Sequence, residues 1–144
     1  VDYKELAAEF MQKLHILNKA RPHKRISESM HGEAFVLKYL SYQDGFVLPS
    51  EISNIMGISS ARIAAALNSL ERKGLITRQI DPSDRRRILV ELTSEGKALA
   101  ESQHQEILEN TTKMFAFLGE HDAREYVRIT GRLAEYVSQC KEMK

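Results

Sequence analysis

Along the first stretch of the chain, Tyr3, Leu6, Ala7, Phe10, Leu14 and Leu17 recur at helical spacing. Positions three and four apart share one face of a 3.6-residue turn, so this pattern predicts a helix over residues 3–19. Arg21-Pro22 predicts its end, because proline biases the residue before it away from the helical region. His23-Lys24-Arg25 continues a polar connection. A second helix is expected from about Ser29 to Tyr42, with Phe35, Val36, Tyr39 and Leu40 as its apolar side, and Asp44-Gly45 marks a turn. Phe46-Val47-Leu48 is too short to stand as an element. Ser50 is then the expected cap of a short helix through Met56, which Gly57 stops by its tolerance of the left-handed conformation.

Ser59 is expected to cap a helix that runs to Lys73 and stops at Gly74, with Ile63, Ala66, Leu67 and Leu70 facing the core. Two short helices joined by a tight glycine turn form a helix-turn-helix. Two strand-like runs follow, residues 75–80 and 88–92, with Ile88, Val90 and Leu92 alternating onto one face. A hairpin placed there is a wing. Thr93 or Ser94 is the expected cap of a long helix to about Leu118, with Ala98, Leu99, Ile107, Met114, Phe115 and Leu118 as packing residues. Asp122 is the expected cap of a last helix with Tyr126, Val127, Thr130, Leu133, Ala134, Val137 and Cys140 on one side. The fold class is mainly α with a small β-hairpin wing (α+β). A winged helix-turn-helix at 29–93 is flanked by helical regions at 1–28 and 94–144.

Composition narrows the class. At 144 residues, 42% hydrophobic and 28% charged, the chain reads as one ordinary soluble domain rather than a disordered one. No apolar run approaches the roughly 18 residues of a membrane-spanning helix, and the polar, acidic start is wrong for a secretory signal. The single cysteine, Cys140, cannot form an internal disulfide, which fits a reducing cytoplasm. The net charge of +1 is uninformative until it is divided along the chain. Residues 59–90 hold seven bases against three acids, a net of +4, which leaves −3 for everything else. A basic centre between acidic arms is the asymmetry of a nucleic-acid-contacting module on a neutral scaffold.

The residues in that basic segment suit DNA. Ser60, Ala61, Arg62, Ala64, Ala65, Asn68 and Ser69 are the expected outward positions of the second helix of the motif, and none is bulky and apolar. Arg62 can pair with guanine, Asn68 can reach adenine, and Ala61 or Ala65 can touch a thymine methyl. Ser59, Ser60 and the helix N-terminus suit phosphate. The loop Asp81-Pro82-Ser83-Asp84-Arg85-Arg86-Arg87 sets three mutually repelling arginines at a hairpin tip, which calls for an anionic partner. Arg78, on the first strand, is a further candidate for phosphate.

Two segments carry a family resemblance. Leu70-Glu71-Arg72-Lys73-Gly74-Leu75-Ile76 looks like the join between recognition helix and wing in the MarR family of bacterial regulators. Residues 81–96, with Asp84-Arg85-Arg86 and Leu92-Thr93-Ser94-Glu95-Gly96, are similar to that family's Asp-x-Arg wing followed by Leu-Thr-x-x-Gly. The chain resembles the family over nearly its whole length. The resemblance implies a recognition helix at 59–73 in the major groove and a wing at 75–92 in the minor groove. Arg86 would enter that groove, held by Asp84, with Arg85 and Arg87 on phosphate. It also implies a cytoplasmic homodimeric repressor of double-stranded, palindromic DNA, released by a small-molecule effector of unknown identity. The apolar stripes of the first and last helices agree with a dimer, since a winged domain this small cannot cover them.

No cofactor is expected. The five histidines (His15, His23, His31, His104 and His121) lack the i, i+4 spacing of a helical metal site, so no metal is assigned, although a metal-responsive regulator of the same fold stays open. The first helix lacks the cysteine through which some relatives sense peroxide, and Cys140 is expected to pack. An enzyme is not expected, since no Gly-x-Ser-x-Gly, His-Glu-x-x-His or phosphate loop occurs. A winged-helix module that binds protein instead of DNA is the remaining alternative.

Overall fold

The computed structural model describes residues 1–19 and 28–142, with side chains at 1–19 and 32–141. The expected stop at Arg21-Pro22 and the connection after it lie outside these residues. Helix α1 (Tyr3–Lys19) and helix α2 (Glu28–Ser41) come first. They are followed by α3 (Pro49–Met56) and α4 (Ser60–Arg72), the two helices of the helix-turn-helix.

Helix α3 starts one residue before Ser50, with the extended Leu48 at its cap and no capping side chain. Proline explains the shift: at the first helical position Pro49 needs no N–H partner and has its φ already set. Gly57, at φ +65°, closes α3 by donating to the Ser53 carbonyl at 2.9 Å. Ser59 caps α4, its hydroxyl accepting from the Arg62 N–H at 3.3 Å. At the far end Gly74 takes φ +73°. Its N–H bonds the Glu71 carbonyl at 3.0 Å while that of Leu75 bonds Leu70 at 3.0 Å. These paired bonds satisfy the last carbonyls of the helix and turn the chain sharply into the hairpin.

Strands β1 (Ile76–Ile80) and β2 (Ile88–Leu92) pair antiparallel, Ile76 opposite Leu92, Arg78 opposite Val90 and Ile80 opposite Ile88. Val47 bridges to Val90 on the other edge of β2, with mutual backbone bonds of 2.9 and 2.8 Å. Helix α5 (Ser94–Leu118) begins after Thr93, whose hydroxyl oxygen accepts from the Gly96 N–H at 3.0 Å and donates to the Gly74 carbonyl at 2.6 Å. Thr93 is thus both cap and tether to the turn that starts the wing. Gly96 meets the same turn: a Cβ there would penetrate the Leu75 carbonyl oxygen, so only glycine lets α5 start so close. Helix α6 (Glu120–Glu142) follows Gly119, at φ +81°. Asp122 therefore lies in the first turn of α6 and not at its cap, where its charge still suits the positive helix end.

Contacts cluster in two units, Val1–Ala100 and Glu101–Lys144. The first contains the core, where Val36, Leu37, Leu40, Val47, Ile52, Ile63, Leu67, Leu70, Ile76 and Val90 are almost fully buried. Here α2 and α3 both pack on α4 and on β2. Two expectations for α2 change: Phe35 is exposed and Leu37 is buried. The unbroken run Ala34-Phe35-Val36-Leu37 gives a helix no unique apolar phase. In the second unit the rings of Phe115 and Tyr126 meet edge to face, 6.0 Å between centroids. Leu99, Phe115 and Leu118 are half-buried, whereas Ala98, Ile107 and Met114, expected to pack, are exposed. The apolar sides of α1 (Leu6, Phe10, Leu14, Leu17) and of α6 (Tyr126, Val127, Leu133, Val137) are exposed on the single chain, as are Thr130, Ala134 and Cys140. Among the described residues no helix is long and apolar enough to cross a membrane.

Candidate nucleic-acid interface

Core burial of Ile63, Leu67 and Leu70 fixes which side of α4 faces outward. Ser59, Ser60, Ala61, Arg62, Ala64, Ala65 and Asn68 are all exposed there. This face is small and polar, so nothing on it would hold the helix off a groove floor. Ser69 departs from the expected set. It is half-buried and hydrogen-bonds Glu33 of α2, which also receives the Lys73 ammonium at 2.7 Å. Burial pushes the Glu33 carboxyl up, but the hydrogen bonds from Lys73 and Ser69 and the charges of Lys73 and Arg72 outweigh it. Its pKa therefore lies below the ordinary carboxylate value. That cluster ties α2 to the end of α4.

The wing loop is built from two consecutive side-chain-capped turns. Asp81 Oδ1 accepts from the Ser83 N–H at 2.9 Å and from the Ser83 hydroxyl at 2.7 Å. Asp84 Oδ1 accepts from the Arg86 N–H at 3.1 Å and from Arg86 Nε at 3.2 Å. A backbone bond from the Asp81 N–H to the Arg87 carbonyl, 3.0 Å, closes the base of the loop. Aspartate is suited to such turns because its short side chain reaches the backbone two residues on. Arg87 leans on Asp81 at 3.6 Å, and Arg85 is exposed. Arg86 has its base braced by Asp84, yet its side chain is 91% exposed. Hydrogen bonds hold both aspartates below their usual pKa, from Ser83 for Asp81 and from Arg86 for Asp84.

Arg78 points elsewhere. Its Nε and Nη2 donate to the two oxygens of Glu71, at 3.1 and 2.9 Å, across the turn from α4 to β1. The hydrogen bond from Arg78 is also the chief cause holding Glu71 below the usual carboxylate range. Sequence reasoning gave Glu71, Asp81 and Glu33 no role beside the arginines. Glu71 and Arg78 stand seven residues apart across a glycine stop, a signal that was there to find; Glu33 and Lys73, forty apart, left none.

A sequence model of the MarR family matches residues 31–87, the whole of the helix-turn-helix and the wing loop. The chain belongs to the MarR family. This MarR-family chain is 30% identical over 103 residues to the HTH-type transcriptional repressor YetL of Bacillus subtilis, covering 69% of the chain and 60% of YetL. The YusO protein of Bacillus subtilis has a crystal structure that superposes with a TM-score of 0.70 at 27% identity, over 94% of this chain and 99% of that one. The fold is shared with FabT of Streptococcus pneumoniae, solved in complex with DNA, at a TM-score of 0.64 and 20% identity, over 99% of this chain and 100% of that one. Among the described residues no group of three or more His, Cys, Asp or Glu is placed to hold a metal ion. His23 lies outside them, as does the side chain of His31.

Proposed function

We propose that this MarR-family chain is a sequence-specific, double-stranded DNA-binding transcriptional regulator. It acts in the cytoplasm as a homodimer and catalyses no reaction of its own. The observation that carries the reading is the pairing of two surfaces: the small polar face of α4 and the wing-tip Arg86, exposed but braced by Asp84. A helix with that face fits the major groove, with Arg62 and Asn68 on base edges and Ser59, Ser60, Ala61 and Ala65 at the closest approach. An arginine held at a hairpin tip fits the narrow, electronegative minor groove, while Arg85 and Arg87 meet phosphate. Ser69, turned to Glu33, contributes least. The apolar sides of α1 and α6, exposed on one chain, support a two-fold dimer on a palindromic site. The name of YetL favours repression; release by a small molecule is the corresponding control.

Selection of duplexes from a randomised pool by the full chain tests this. A recovered palindrome with half-sites about one helical turn apart is the expected result. Recovery of no common sequence, with binding that vanishes at physiological salt, would sink it.

A further inference from the structure

We infer that Arg78 is a positioning residue and not a DNA contact: held by Glu71, it sets the angle between the recognition helix and the wing. The inference rests on the DNA-binding reading above. Glu71 belongs to the last turn of α4 and Arg78 to the middle of β1, and between them the chain reverses at Gly74. The base of the hairpin is held by Ile76, Val90 and Leu92 in the core and by the Val47 bridge, and the Glu71–Arg78 pair adds a side-chain tie between α4 and the middle of β1. Two N–H···O bonds to the two oxygens of one carboxylate, at 3.1 and 2.9 Å, fix the orientation of the pair as well as its distance, which a single bond would not.

Placement supports the same division of labour. Arg78 sits opposite Val90, a core residue, and its side chain is 25% exposed against 91% for Arg86. A phosphate approaching Arg78 must displace a carboxylate already seated in the fork. Arg86, by contrast, has its acid within its own loop and carries that brace wherever the wing goes.

The two roles predict opposite signs. A phosphate-contacting Arg78 would be released by Glu71→Gln, and affinity would rise. A positioning Arg78 loses its anchor, and affinity falls. The test compares Glu71→Gln, Arg78→Gln and Arg78→Lys with the parent chain by fluorescence anisotropy. The probe is a labelled duplex that the parent recovers from a randomised pool, titrated over a salt series. Circular dichroism melts first establish that each variant is folded at the assay temperature. We expect a loss of about fivefold for Glu71→Gln, in the range of a partly exposed ion pair. Arg78→Lys should fall with Arg78→Gln, since an ammonium keeps the charge but cannot make the fork.

The slope of log affinity against log salt should stay at the parent value in all three, because no phosphate contact is removed. Tighter binding by Glu71→Gln, parent-like binding by Arg78→Lys, or a slope reduced by about 0.9 in Arg78→Gln would each overturn the inference. Unchanged affinity in all three would also overturn it. Arg78→Lys, which keeps charge and bulk, carries the test if Glu71→Gln proves unstable. Failure of the parent to recover any duplex defeats the DNA-binding reading itself, an outcome distinct from all of these.

Discussion

Arg86 and Arg62 carry one charge each, yet their surroundings assign them different work. Arg86 stands at a loop tip with its base fixed by Asp84, so Arg86→Ala removes a reaching group and leaves the turn's backbone bonds in place. Duplex affinity should drop by about 2 kcal/mol, roughly thirtyfold, with an unchanged melt; an unchanged anisotropy titration would contradict this. Arg62 lies on the exposed face of α4, one turn from the Ser59 cap. Arg62→Ala should lower discrimination at one base position by about 1–3 kcal/mol, measured as the affinity ratio between the selected duplex and a single-base variant. Equal discrimination would remove Arg62 from base reading. At this scale the sequence showed which side chains carry the charge, because clustering is visible in one dimension. It did not show which of them are already engaged. Ser69 and Arg78 read as outward groups until Glu33 and Glu71, brought up by folding, take them.

Elements were legible wherever a local rule decides them. Gly57, Ser59 and Gly74 end or start helices through bonds to near neighbours where the sequence placed them, and Thr93 is the one used of the two caps, Thr93 or Ser94, that it offered. Ser50 and Asp122 failed because Pro49 and Gly119 supply the start of the helix by backbone geometry, which outranks a capping side chain. Gly96 shows a long-range reason behind a short motif. Alanine in a helix normally stabilises by up to about 1 kcal/mol over glycine, but here its Cβ meets the Leu75 carbonyl. Gly96→Ala should therefore destabilise, by about 1–3 kcal/mol in urea unfolding; a gain would show that α5 can lift off the turn freely. The Glu33–Lys73 pair gives the junction of α2 and α4 an acid limit. Glu33 has a folded pKa below its ordinary value, so its contribution is present above that value and is lost as pH falls through the lowered one. Replacement by glutamine should cost on the order of 1 kcal/mol at neutral pH and less below pH about 4, read from urea melts at both pH values.

For the whole molecule, the exposed apolar sides of α1 and α6 lead to a clear expectation. Light scattering at micromolar concentration should give twice the chain mass, and Leu14→Glu with Leu133→Glu should reduce it to one chain. A parent that scatters as a monomer would refute the dimer. These stripes were readable as periodicity in the sequence. The core of the winged unit closes without them, as the small size of that unit had implied, and they stay uncovered on the single chain. The wing's construction has a last consequence, for the time the protein spends on the wrong DNA. Asp81 and Asp84 sit within the same loop as Arg85, Arg86 and Arg87, so the tip carries a net +1 and not +3. The tip's own long-range attraction to a duplex is correspondingly weaker than three unpaired arginines would give, while the braced Arg86 keeps its reach at close quarters. On the DNA-binding reading proposed above, such a wing would dwell briefly at each random site, and a search for an operator would proceed by many short visits with few long halts.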